Sequence, residues 1–176
     1  MTNHLRIRNP FDRTEDFQRY DLMYGCVDYR KKVVLDIGAD VGSTADFFLQ
    51  KGARKVFAVE SEPKIYDQLV KNVDTILGAG KVVPIHMAVQ TPEHFEQLLT
   101  RANPDITKLD VNGKGRECSH VEHLLCKVDP HRLKCCNEWL IEMHGNTLKD
   151  ITMTCMGSIG FHMRRLAQRV GYFKLE

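Results

Sequence analysis

The chain alternates short runs of apolar, β-branched residues with longer stretches whose apolar residues recur at helical spacing. Residues 33–37, VVLDI, read as a buried strand. Ser43 to Lys51 then places Ala45, Phe48 and Leu49 on one side of a helix, and Gly52 ends it. The unit repeats. Lys55–Val59 is a second strand ending in Glu60, and Pro63 opens a helix that runs to about Val73. Residues 81–86, KVVPIH, are a third strand; Pro84 cannot donate to a ladder, so it marks a sheet edge or a strand end. Pro92 opens a helix to about Arg101, and residues 106–111, ITKLDV, are a fourth strand. A Gly-rich turn over Asn112–Arg116 leads to a helix over Ser119–Lys127, and residues 138–143, EWLIEM, are a fifth strand. The pattern then predicts a last helix over Phe161–Val170 and a short strand over Tyr172–Leu175. Residues 1–31 are polar and aromatic. They predict one or two helices between Asp12 and Tyr29, an appendage lying across the edge or mouth of a domain spanning 32–176.

Strands of four to six residues alternating with helices are the pattern of repeated βαβ units. The expected fold is α/β: a Rossmann-like, mostly parallel sheet with helices on both faces. Only about six strands are visible, so the reading leaves a seventh unaccounted for. An abbreviated sheet would expose an edge, which favours a homodimer. Asp36, Glu60, Asp110 and Glu142 all fall at or near the carboxyl ends of strands, where open α/β sheets bind ligands.

Composition narrows the classes. With 43% apolar and 27% charged residues in 176, the chain is neither disordered nor fibrous. Lys and Arg number 25 against 23 Asp and Glu, which offers no broad basic face, so nucleic acid is not favoured as a partner. No apolar run is long enough to span a bilayer and the first residues lack the apolar stretch of a signal peptide, so no membrane partner and a cytoplasmic location are expected. The six cysteines, at 26, 118, 126, 135, 136 and 155, have no CxxC spacing. Free thiols are expected, and no metal site.

The sharpest local feature is VVLDIGADVGSTADFF. A strand passes through Asp36 into a tight connection bounded by Gly38 and Gly42, and a helix begins near Ser43. Glycine lets a backbone approach a ligand or take positive φ, and a helix N-terminus offers free N–H groups. No Gly-Lys-Ser/Thr follows, so this is not a phosphate-gripping loop, and Asp40 would repel a pyrophosphate. Glu60, eighteen residues beyond Gly42, can accept hydroxyl protons of a ribose.

DIGADVGS followed by VFAVESEP resembles the first two strands of class I S-adenosylmethionine-dependent methyltransferases, and more narrowly those of the FkbM type. Lys108–Leu109–Asp110–Val111–Asn112–Gly113 is similar to that type's fourth-strand motif, with Asn112 in place of an acid. Glu142–Met143–His144–Gly145 is similar to the end of its fifth strand. Asp40 stands where the family usually has asparagine. The resemblance implies S-adenosylmethionine as cofactor. Asp36, Gly38, Ala39, Asp40 and Gly42 would line its methionine part. Glu60 would hold the ribose, Ser61 and Glu62 would lie beside the adenine, and Met87 and Ala88 would flank the ring. Asp110 would lie near the methyl-transfer centre. The charge set agrees: a sulfonium and an ammonium suit an acidic pocket better than a dinucleotide would.

The implied activity is methyl transfer to a hydroxyl of a small molecule or sugar. His144, with Glu142 two residues earlier on the same side of the strand, is the candidate base, and Asp110 is the second. The alternatives are an RNA or protein N-methyltransferase on the same fold, and a non-catalytic cofactor-binding or interaction module. The charged, thiol-rich segment 112–136 is a candidate lid or partner surface.

Overall fold

Strands β1 (Val33–Ile37), β2 (Lys55–Glu60), β4 (Ile106–Leu109) and β5 (Glu138–Glu142) are buried almost end to end, as strands must be when helices cover both faces of a sheet. The computed structural model describes residues 13–78, 80–110, 124–143, 146–167 and 170–175. With β3 (Val82–His86), β6 (Phe161–Ala167) and β7 (Val170–Leu175), these strands form one seven-stranded sheet in the order β3-β2-β1-β4-β5-β7-β6. The first five are parallel, and β7 runs antiparallel to both β5 and β6. Pro84 lies in the edge strand β3, where its missing N–H costs no ladder bond.

Alternation along each strand divides the core in two. Val33, Leu35, Ile37, Trp139 and Ile141 face one layer, which contains Phe95, Leu98 and Leu99 of helix α4 (Pro92–Ala102). Val34, Val56, Ala58, Ile106 and Leu140 face the other. That layer holds helices α1 (Arg13–Tyr24), α2 (Ser43–Gln50) and α3 (Pro63–Asn72), the last extended by a π-helical turn over Val73–Leu77. Tyr24 and Tyr29 are buried there against Phe47 and Phe48 of α2, with Tyr29 stacked on Phe48 at 5.0 Å. Helix α4 begins on a Thr91 cap whose hydroxyl accepts the His94 N–H. A short helix, α5 (Pro130–Leu133), is capped by Asp129. Helix α6 (Asn146–Ser158) precedes the final hairpin.

The end of the chain departs from the sequence reading. Phe161–Ala167 is a strand, not the last helix, and with β7 it completes the seventh strand that pattern reading left missing. The physical reason is a bulge. The register shifts between Met163 and Arg165, so one extra residue breaks the two-residue alternation and leaves apolar spacings that resemble a helix. The helix lies earlier, over Asn146–Ser158, where threonines and a glycine blur any apolar stripe. The argument for a dimer drawn from a missing strand therefore lapses. Val111, Asn112, Gly113 and the start of the helix expected over Ser119–Lys127 lie outside the described residues.

Candidate functional site

Strand order reverses between β1 and β4, since the chain leaves β1 for β2 and β3 on one side and returns to β4 on the other. A crevice opens at such a switch, beyond the carboxyl ends of the strands. Period-two alternation then does something the sequence reading did not anticipate. Asp36 follows Val34, Glu60 follows Ala58, Lys108 follows Ile106 and Glu142 follows Leu140, so all four polar residues lie on the α1–α2 face. They cluster because they share both a sheet end and a sheet face.

The first group is built on the loop after β1. Gly38 has φ +81° and Gly42 φ +99°, both left-handed. The N–H groups of Gly38 and Ala39 donate to the Val59 carbonyl, which docks the loop on β2. A Cβ at Gly42 would meet Leu77 and Leu69 at 2.9 and 3.0 Å, so this glycine also serves packing beneath the loop. Asp40 is exposed with φ +51°, a region that Asn and Asp tolerate better than other side chains. Its N–H donates to Glu60 Oε2 at 3.0 Å, while the Ser61 and Glu62 N–H groups donate to Oε1 at 2.7 and 2.8 Å. Three backbone donors thus fix the Glu60 carboxylate at the mouth of the crevice. Partial desolvation of its carboxyl, and then the charge of Glu60, push Asp40 up. Ser61 and Glu62 are exposed. Met87 is half-buried and its N–H donates to the Glu60 carbonyl; Ala88 follows it, exposed. His86 stacks on Tyr66 at 4.7 Å, its Nε2 3.1 Å from the Ser61 carbonyl.

The second group is built from side chains. Asp36 and Lys108 are register neighbours on β1 and β4, and both are buried. Lys108 Nζ lies 3.0 Å from Asp36 Oδ1 and 3.8 Å from Asp110 Oδ2, and it donates to the Gly38 carbonyl at 2.8 Å. Thr44, in the first turn of α2, donates to Asp36 Oδ2 at 2.6 Å. Burial opposes the charge on Lys108, but Asp36 and Asp110 outweigh it and hold the ammonium above its ordinary range. Burial raises Asp36 as well, against the pull of Lys108 and Thr44. Glu142 is pushed up to about 7, first by burial and then by its hydrogen bond to Asp110 and that group's charge; Lys108 and Arg19 pull the other way. Asp110 Oδ1 is buried and meets no hydrogen-bond donor. The Tyr24 phenol is buried within range of the charges of Lys108, Asp110, Glu142 and Asp36, and burial raises it far above its ordinary value.

The structure therefore brings Asp36, Asp110 and Glu142 together, and separately joins Gly38, Ala39, Asp40, Ser61, Glu62 and Met87 around Glu60. His144 lies outside the described residues. Sequence reasoning missed three residues. A lysine inside the buried strand ITKL demands a carboxylate partner, and that signal was readable. Thr44 and Tyr24 gave none, because each depends on how a helix lies over the sheet. Among the described residues no three His, Cys, Asp or Glu gather as metal ligands, and the five cysteines there are free thiols. No described helix is long and apolar enough to cross a membrane. A mostly apolar cavity of about 530 Å³ lies away from these strand ends, between Leu125–Leu133 and α6.

Comparison with solved structures identifies the class of fold. Magnesium protoporphyrin IX methyltransferase from Synechocystis with bound SAH superposes with a TM-score of 0.64 at 15% identity, over 92% of this chain and 83% of that one. Aeropyrum pernix fibrillarin, with natively bound S-adenosyl-L-methionine, gives 0.62 at 15%, over 84% and 68%. The ribosomal protein L11 methylase from Lactobacillus delbrueckii subsp. bulgaricus gives 0.61 at 13%, over 93% and 79%. The fold is that of the class I S-adenosylmethionine-dependent methyltransferases. No protein-family model matches the chain. In sequence it is 31% identical over 102 residues to the histone-arginine methyltransferases CARMER of Drosophila erecta and Drosophila simulans. That stretch is 57% of this chain, which spans only 19% of the length of those relatives.

Proposed function

We propose that the chain is an S-adenosylmethionine-dependent methyltransferase domain that methylates a nitrogen of a protein or RNA. The observation that carries the reading is the Asp110–Glu142 carboxyl pair at the ends of β4 and β5, facing the crevice at the switch in strand order. The residues present fit the cofactor. Glu60 Oε1 already takes two N–H groups and Oε2 one, which leaves an acceptor position on Oε2 for a ribose hydroxyl. The buried Oδ1 of Asp110 suits a cationic group. Acidic side chains outnumber Lys108 around the crevice, as a sulfonium and an ammonium require.

Bound there, the cofactor supplies an electrophilic methyl group on sulfur. The chain's own residues do the rest. Gly38, Ala39 and Asp40 shape the loop under the methionine part, Gly42 packs that loop on α3, and Asp36 anchors Lys108. Glu60 would orient the ribose, and Ser61, Glu62, Met87 and Ala88 would lie around the adenine. An acceptor nitrogen that arrives protonated must lose a proton. Glu142, pushed up to about 7 beside Asp110, can receive it. Tyr24 of α1, buried within range of the pair's charges, helps to keep water away. The sequence match to histone-arginine methyltransferases supports a macromolecular acceptor.

A second reading is methyl transfer to a hydroxyl of a small molecule or sugar. The FkbM-like motifs Lys108–Leu109–Asp110 and Glu142–Met143–His144–Gly145 favour it, with His144 as base. One experiment separates the readings. The protein is incubated with S-adenosylmethionine carrying a labelled methyl group and with arginine- and lysine-containing peptides, RNA, or hydroxyl compounds. Mass spectrometry then locates the label. Label on nitrogen is expected. Label only on oxygen favours the second reading, and failure to bind S-adenosylhomocysteine in calorimetry overturns both.

A further inference from the structure

We propose that Lys108 is the positioning residue that couples the two halves of the site. One buried ammonium both holds the backbone path of the glycine loop and opposes proton uptake by Glu142. The contacts are specific. Nζ donates to Gly38 O at 2.8 Å and pairs in charge with Asp36 Oδ1 at 3.0 Å and Asp110 Oδ2 at 3.8 Å. The first contact satisfies a carbonyl in the left-handed turn at Gly38 and so holds the loop's path. The second neutralises Asp36, which has no exposure to water. The third sets the cation beside Asp110, the carboxylate that adjoins Glu142, so the same charge opposes proton uptake by Glu142. The charged and titratable groups facing Glu142 include Lys108 from β4, Asp110 just beyond that strand, and Arg19 and Tyr24 from α1; from β7 its ladder neighbour is Val170, which does not titrate. Of these, Lys108 alone also touches the cofactor loop. The inference rests on the methyltransferase reading for its purpose, but not for its chemistry.

The test is built so that charge balance and positioning part company. Lys108→Met alone strands Asp36. The double variant Lys108→Met/Asp36→Asn removes both buried charges together and leaves a neutral pair of similar size. Two readouts follow in that variant. Carboxyl-carbon NMR of the ligand-free protein tracks the Glu142 titration, and calorimetry measures S-adenosylhomocysteine binding. The Glu142 midpoint is expected to move up by about one pH unit or more, since the cation opposing its protonation is gone. Binding is expected to weaken about tenfold, the size of one lost loop hydrogen bond. A double variant with an unchanged midpoint and unchanged affinity overturns the proposal, because Lys108 would then only neutralise Asp36. If the midpoint moves while the unaltered protein binds no S-adenosylhomocysteine, the electrostatic role stands and the methyltransferase reading falls. The unaltered chain gives a reading that needs no variant. The Lys108 ammonium nitrogen should stay charged throughout the Glu142 titration, and a Lys108 that deprotonates within that range overturns the proposal.

Discussion

The two halves of the crevice are made of different materials. Around β1–β3 the site is mostly backbone: left-handed glycines, N–H groups from Asp40, Ser61 and Glu62, and one carboxylate held by them. Around β4–β5 it is mostly side chain: Lys108, Asp110 and Glu142, with the buried Tyr24 within range of their charges. The first half is assembled by residues close in sequence, since Glu60 meets donors one and two residues onward and one loop back. The second draws on residues 19, 24, 36, 108, 110 and 142. Backbone donors cannot titrate. A half built mostly of backbone donors therefore adjoins a half built of charged side chains, a division suited to a constant cofactor and a reacting proton.

Breaking the side-chain half should cost most. Lys108→Met leaves Asp36 buried and unpaired, and urea unfolding should show a loss of about 3–5 kcal/mol. A loss below about 1 kcal/mol would mean that Asp36 finds another partner. Next comes the titration of Glu142. Its folded value, about 7, lies above its ordinary value, so the folded chain holds this proton more tightly than the unfolded chain. That contribution is full below the ordinary carboxylate range and fades as pH rises through about 7. Unfolding at pH 5 and pH 8 should differ by on the order of 2 kcal/mol from this group alone, with lower stability at the higher pH. Glu142→Gln should remove that slope, and an unchanged slope would assign it elsewhere.

The backbone half predicts smaller effects on binding. Glu60→Ala should weaken S-adenosylhomocysteine affinity by about 1–3 kcal/mol in calorimetry, the range of a lost charge-assisted bond. An equal dissociation constant would withdraw the ribose assignment. Asp40→Asn should do least, stabilising the chain by about 0.5 kcal/mol in thermal or urea unfolding. Asparagine keeps the left-handed φ and removes a carboxylate that partial desolvation and Glu60 already push up. The gain should appear only at pH values where aspartate ionises. A gain independent of pH would locate it in the backbone rather than in the like charge.

Much of the fold was legible because it is local. Pro63 and Pro92 opened their helices, Pro84 marked the edge strand, and VVLDI and EWLIEM were strands by apolar run alone. The final hairpin was not legible. Its bulge at Met163 and Arg165 erased the alternation by which a strand announces itself, and its pairing with β5 depends on a partner far back in the chain.

Read alone, the chain determined the repeating βαβ rhythm, the glycine loop and the acids at the strand ends, because backbone preference and periodicity act over a few residues. Tertiary structure decided the rest. Pairing β1 with β4 put Lys108 beside Asp36, and laying α1 over the sheet put Tyr24 beside them both. Burying a charge is costly unless its partner stands within a few ångströms, and only the folded sheet determines which residues stand that close.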